Sequence, residues 1–158
     1  MLKEVKNLGT TVKIKKVKEN AIIPKNATVG SAGLDLCACI DKNIEIEPGE
    51  ILKVPTGIAL QLCDNNYVAM VFARSGLGIN HGISLANGVG VIDSDYRGEI
   101  FVGLINLGNR TYTIEPNQRI AQIVIMNIPE CKIIESLNLD DTSRGTSGFG
   151  STGKWIYS

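Results

Sequence analysis

The sequence predicts an all-β protein: a sandwich or jelly roll of short strands with at most one short helix. Three observations lead there. Short apolar runs recur at roughly ten-residue spacing, Gly, Pro and Asn punctuate the gaps, and no long stretch carries a helical period. That combination is the pattern of strands joined by tight turns.

Taken in order, residues 1–10 read as a polar lead-in, and Val12-Lys13-Ile14-Lys15 alternates like a strand with one wet face. Pro24 to Gly30 is loop. Gly33–Ile40 is apolar except for Asp35, whose lone carboxylate is costly to bury unpaired. It either faces solvent or meets a cation or an arginine. Ile44–Glu47 alternates, Pro48-Gly49 turns into Ile51–Val54, and Pro55-Thr56-Gly57 turns into Ile58–Leu62. Tyr67–Ala73 is apolar throughout and reads as a strand buried on both faces. Ser75–His81 is the helix candidate, with Ser75 as its N-cap. Asn87-Gly88 and Gly90 allow positive φ and predict a hairpin. Beyond it, Glu99–Asn106, Thr111–Ile114 and Arg119–Met126 read as strands, and Pro129 and Cys131–Ile134 follow.

The formal charge is zero, with 16 basic against 16 acidic residues. This argues against an electrostatic nucleic-acid binder, which carries a basic face. No apolar run approaches membrane-spanning length and no signal-peptide pattern opens the chain, so a soluble, cytoplasmic protein without a membrane partner is expected. Cys37, Cys39, Cys63 and Cys131 lack the spacing of a zinc site and read as small buried hydrophobes of a reducing compartment. Cys37 and Cys39 would share a strand face. His81, the single histidine, has no nucleophile-elbow neighbour and reads as a loop residue.

The densest chemistry lies between Asn87 and Gly98. A Gly-held turn precedes a buried-looking Val91-Ile92 pair, then Asp93, Asp95, Tyr96 and Arg97. On an extended strand Asp93 and Asp95 would share a face, where like charges need a cation, water or solvent to compensate. The plain alternative is a solvated hairpin end. From Asp140 to Gly153 the chain is hydroxyls, glycines, Arg144 and one aromatic, Phe149. Nothing there builds core; it reads as a disordered tail or as a lid able to hold phosphates and stack on a base.

Five segments in this order resemble the trimeric dUTP diphosphatases (dUTPases). They are Ala32-Gly33-Leu34-Asp35-Leu36, Ala73-Arg74-Ser75-Gly76-Leu77, Gly90-Val91-Ile92-Asp93-Ser94-Asp95-Tyr96-Arg97-Gly98, Arg119-Ile120-Ala121-Gln122 and the run Arg144–Gly153. Ser147 departs from the family's usual glycine. The resemblance implies a distorted jelly roll over 1–139 and a flexible arm over 140–158 that closes on the site. It also implies a homotrimer with inter-subunit sites: the first, second and fourth segments from one chain, the third from a neighbour, the arm from the remaining one.

The implied reaction is hydrolysis of dUTP to dUMP and pyrophosphate, which limits uracil in DNA and supplies dUMP for dTMP synthesis. By resemblance, Asp93 activates the water and Asp35 helps place Mg²⁺ through its water shell. Arg74, Ser75, Gly76 and Gln122 contact phosphates. Asn87, Gly90 and Val91 form the uracil pocket, and Tyr96 packs on the deoxyribose. In the arm, Phe149 stacks on uracil beside Gly150, while Arg144, Ser151 and Thr152 hold the γ-phosphate. Asp95, Arg97 and Arg119 fall in a structural class, Asp95 and Arg97 in an intra-hairpin or inter-subunit ion pair and Arg119 in an architectural or inter-subunit contact. The rival is the related dCTP deaminase branch, with Glu99 as its carboxylate; a nucleotide-binding regulator and a plain lectin-like or capsid-like jelly roll are the others.

Overall fold

Every strand pair in the computed structural model, which describes residues 10–148 of the 158, is antiparallel. The strands are β1 (Lys13–Lys16), β2 (Leu34–Cys37), β3 (Ile44–Ile46), β4 (Ile51–Pro55), β5 (Ile58–Gln61), β6 (Tyr67–Ala73), β7 (Ile83–Leu85), β8 (Gly90–Ile92), β9 (Phe101–Asn106), β10 (Tyr112–Ile114) and β11 (Arg119–Asn127). The one helix among the described residues, α1 (Ser75–His81), follows β6. A four-stranded sheet runs β2-β11-β6-β8, a three-stranded sheet runs β4-β9-β7, and β1-β5 and β10-β3 form ribbons. No helix among the described residues is long and apolar enough to cross a membrane.

The core takes one face of each sheet. Leu36, Ile46, Val54, Ile58, Ile83, Val102, Leu104, Ile114 and Ile120 are essentially without exposure. Residues that alternate with them, such as Glu45, Ile51, Lys53 and Phe101, face outward, as the two-residue period of a strand requires. β6 is one of the two central strands of its sheet. It pairs with β11 over its full length and with β8 on its other side.

Most strands fall where the alternation places them; the departures have physical causes. The apolar run Gly33–Ile40 is strand only to Cys37. Beyond it the Ala38 N–H bonds to Gln118 and the Cys39 N–H to Pro55, so the chain leaves one sheet for the other. Cys37 and Cys39 therefore do not share a strand: Cys37 is half-buried, and Cys39 is buried with its Sγ donating to Asn20 Oδ1 at 3.1 Å. Cys63 and Cys131, expected to be buried, are exposed because each lies past the end of a strand, β5 and β11, outside the core. Ser75 is not the N-cap. Arg74 keeps the extended backbone of β6 (φ −92°, ψ 131°) and occupies the cap position without a side-chain bond. His81 is not in a loop; it ends α1, where a helix favours a basic group, and its ring lies 4.9 Å from that of Tyr112.

In the central hairpin only Gly88 takes positive φ, at 72°. Gly90 is strand, needed instead for close approach, since a Cβ there would sit 3.0 Å from Val71 Cβ. The Val91-Ile92 pair is not jointly buried: Ile92 is 9% exposed and Val91 61%. Asp93 and Asp95 do not share a strand face, because β8 ends at Ile92 and a turn follows, with the Tyr96 N–H bonded to the Asp93 carbonyl at 3.2 Å. From Ile128 to Gly148 the chain forms no strand and is exposed throughout, including Ile133 at 88% and Leu137 at 97%.

A buried side-chain amide ties β3 to the loop between β9 and β10. Asn106, with no exposure, donates to the carbonyls of Ile46 and Arg110 at 2.9 and 2.8 Å and accepts from the Gly108 N–H at 2.9 Å. Replacing it leaves those groups buried without partners. Asn106→Ala is expected to lower stability by about 2–4 kcal/mol, read as a reduced urea midpoint at unchanged slope.

Candidate active site

Asp35 sits on β2 directly opposite Gln122 of β11. Both of its oxygens are engaged: Oδ1 with Arg74 Nε at 3.1 Å and Oδ2 with Arg119 Nη1 at 3.0 Å. Arg74 emerges from the end of β6 and Arg119 from the start of β11, so two paired strands deliver both cations to one carboxylate. Arg74 Nη1 also donates to the Arg119 carbonyl at 3.3 Å. Gln122 Nε2 donates to the Ala73 carbonyl at 3.0 Å. Its Oε1 lies where a side chain at Gly33 would point: a Cβ there would come within 2.5 Å. Asp35, Arg74, Ser75, Gly76 and Gln122 line one cavity of about 170 Å³, together with Ala27, Ser31 and Gly33. One carboxylate and one guanidinium in its lining, with a second guanidinium on that carboxylate, give this pocket a net positive character suited to an anion.

A second cavity, about 310 Å³, opens beside the hairpin and is lined by Asn87, Gly90, Val91, Asp93 and Tyr96, with Lys53, Leu85, Glu99 and Phe101 among the rest. Here Tyr96 donates its hydroxyl to the Glu99 carbonyl at 3.0 Å. The Glu99 carboxylate is committed elsewhere, accepting the Gly57 N–H at 2.8 Å. Lys53 Nζ stands 4.0 Å from the centroid of the Phe101 ring, a cation–π contact at the pocket wall. Asp93 is exposed to this cavity.

The two cavities share no lining residue. The register separates them. β8 pairs Ile92 with Ala69, which brings Asp93 level with Val68; Arg74 lies six residues farther along β6. At about 3.3 Å per residue that is ~20 Å, more than an arginine and an aspartate span between them. Asp93 and Arg74 of one chain therefore do not meet.

The expected Asp95–Arg97 ion pair is not formed within the chain. Arg97 donates instead to the carbonyls of Ser94 and Tyr96, at 2.6 and 2.9 Å. Arg119, placed in a structural class by sequence, belongs to the anion pocket's electrostatics. Arg144 is exposed, its Nε bonded to the Ser147 carbonyl at 3.0 Å. Phe149, Gly150, Ser151 and Thr152 lie outside the described residues. Lys53, Phe101 and Ser31 carry no expected site role, and Gly33 enters only as a member of the first resembling segment. Lys53 lies within the run Ile51–Val54, and nothing local signals the cavity it borders. Gly33 did carry a signal: a glycine two residues before an isolated strand carboxylate.

Around Asp35 the thiol of Cys37 is held above its ordinary pKa, first by burial and then by the Asp35 charge, against the lowering pull of Arg119 and Arg74. Burial likewise raises Cys39. A raised thiol pKa means the fold keeps the proton more tightly than the unfolded chain, so the stability linked to it is fully present below the ordinary thiol pKa and is lost as pH rises from there through the raised value. Alkylation by iodoacetamide at pH 8 is expected to label the exposed Cys63 and Cys131 first, and Cys37 and Cys39 at least roughly tenfold more slowly, as read by peptide mass mapping over time.

Known proteins resemble this chain over most of its length. A family profile described as dUTPase matches residues 19–153. A deoxyuridine 5'-triphosphate nucleotidohydrolase of Desulfitobacterium hafniense is 50% identical over 131 residues, 83% of this chain and 87% of that protein. One from Acinetobacter baumannii is 48% identical over 132 residues, 84% of this chain and 88% of that protein. Among solved structures, the dUTPase of Staphylococcus bacteriophage 80alpha with dUpNHpp superposes with a TM-score of 0.82 at 24% identity, covering 90% of this chain and 98% of that one. The fold, the extent of the profile match and the near-half identity to these enzymes agree, and the chain belongs to the dUTPase family.

Proposed function

We propose that the protein hydrolyses dUTP to dUMP and pyrophosphate, in sites shared between copies of the chain. The observation that carries this reading is the division of labour along β6: a nucleoside-sized cavity with an exposed Asp93 at one end, a cationic cavity ~20 Å away at the other. One triphosphate does not bridge the two cavities within a chain. A homotrimer that sets the Asp93 cavity of one copy against the Asp35–Arg74 cavity of the next completes the site. The exposed Ile133, Leu137 and Leu139 have no core in their own chain, which suits an arm from residue 140 onward reaching over a neighbouring copy.

Within such a site each residue has a chemical task. Asn87 and the backbone at Gly90 and Val91 read the uracil edge; cytosine reverses donor and acceptor at its 4-position and leaves buried groups unpaired. Tyr96, anchored through its hydroxyl to Glu99, packs against the deoxyribose and excludes a 2′-hydroxyl. Arg74, Ser75, Gly76 and Gln122 hold phosphate oxygens; the first N–H groups of α1 lack helical partners and add donors there. Asp93 orients a water against the α-phosphorus and takes its proton as the new bond forms. Arg144, Phe149, Gly150, Ser151 and Thr152 close over the γ-phosphate and base, keeping out other water.

Among the described residues no cluster of three acidic, His or Cys side chains could hold a metal directly. The donor set fits Mg²⁺ only as an ion carried on the phosphates and met by Asp35 through water, as expected for a cation that sheds water reluctantly. When bound, it would neutralise charge on the leaving pyrophosphate. The free thiols among the described residues suit a cytoplasmic setting, where the dUMP formed would feed dTMP synthesis. The deaminase alternative is disfavoured because the Glu99 carboxylate already serves the Gly57 N–H.

Pyrophosphate release with Mg²⁺ present tests the reading. The wild type is expected to turn over dUTP and to leave dCTP, dTTP and UTP slower by about 10⁴-fold or more. Asp93→Asn should cut turnover by about 10²–10⁴-fold while retaining dUpNHpp binding. Comparable turnover of all four nucleotides, or an active Asp93→Asn, would sink it.

A further inference from the structure

In an undisturbed antiparallel ladder, residues three apart on one strand point to opposite faces. Arg119 and Gln122 are three apart, yet both turn toward Asp35: Gln122 lines its cavity and Arg119 reaches Oδ2 at 3.0 Å. The cause is a register shift between Arg119 and Ala121 against β2. Ile120 and Ala121 are adjacent and both buried, at 1% and 0% exposure, the mark of a bulge that inserts one extra residue. The bulge returns Arg119 to the face of Asp35, where regular pairing would have put it on the other side.

There Arg119 constrains Arg74 twice. Its guanidinium takes one oxygen of the carboxylate whose other oxygen holds Arg74 Nε. Its backbone carbonyl accepts from Arg74 Nη1. We infer that Arg119 is a positioning residue that presets the Arg74 guanidinium for a phosphate of the nucleotide. The inference rests on the proposed function for the identity of that ligand. Arg74 Nε is held in ion-pair contact with Asp35 and one Nη1 hydrogen is donated to Arg119, which leaves the other Nη hydrogens free for an anion. Its rotamer is fixed by folding rather than at binding, so ordering it costs the complex little. Arg119 also keeps Asp35 from closing on Arg74 as a two-pronged pair, the arrangement a lone carboxylate and guanidinium prefer. Two guanidiniums on one carboxylate leave a net positive charge facing the cavity.

The test uses Arg119→Met, Arg119→Gln as a second neutral variant, and Arg119→Lys, each compared with wild type. Calorimetry with dUpNHpp and with deoxyuridine is paired with steady-state kinetics on dUTP. The neutral variants are expected to weaken dUpNHpp about tenfold and raise KM by a similar factor, with deoxyuridine affinity unchanged. Arg119→Lys, which restores a cation beside Asp35, should recover most of the loss. A merely structural role predicts equal weakening of both ligands, and that result overturns the inference. So does wild-type dUpNHpp affinity in the neutral variants while the unaltered enzyme hydrolyses dUTP. An unaltered enzyme that neither binds dUpNHpp nor hydrolyses dUTP overturns the proposed function and this inference with it.

Discussion

The ladder between β6 and β11 is the constraint on which the rest depends. Seven residue pairs, from Ala121–Ala73 to Asn127–Tyr67, lock two strands whose inward residues Ala69, Val71, Ile120, Ala121 and Ile123 are buried. Once that register is set, little else is free. β2 joins the far edge of β11 and carries Asp35; β8 joins the far edge of β6 and carries the hairpin. A slip of one residue would turn every inward side chain outward and would carry Arg74 away from Asp35. The same pairing that buries the core therefore fixes where charge gathers on the surface.

Much of this was legible in the chain. The alternation at Ile44–Glu47, the punctuation at Pro48-Gly49 and the apolar run Tyr67–Ala73 each gave a strand close to the one formed, because a half-buried strand needs a two-residue period and a tight turn needs its own residues. The isolated carboxylate at Asp35 left solvent or a cation as its partner, and two guanidiniums are present. What stayed hidden was non-local. β7 is three residues long, too short to show a period. The bulge in β11 hides because Ile120-Ala121 looks like any apolar pair; only pairing with β2 shows that one residue is extra. Cys39 left its strand for a reason held by Pro55, sixteen residues away in sequence.

Polar groups followed the same division. Asn106 and Thr56 are fully buried, and each is satisfied by carbonyls or an N–H from other elements. Their types predict exposure, and nothing nearby in sequence contradicts it. Glu99 shows the converse hazard. It sits beside the densest cluster of chemistry and invites a catalytic reading, yet its carboxylate bonds to the backbone of Gly57, on the loop before β5. Proximity in sequence to a site says less than the hydrogen-bond partner does.

The separation of the two cavities along β6 also bears on inheritance. Under the shared-site reading, a chain damaged at Asp93 still carries an intact Arg74 end, and a chain damaged at Arg74 still carries an intact Asp93 end. Mixed assemblies of the two pair the undamaged halves at some of their junctions. Two alleles, each silent alone, would then restore one another when expressed together, whereas two lesions at the same end of β6 would not. The length of a single strand thus sorts defects into complementation groups.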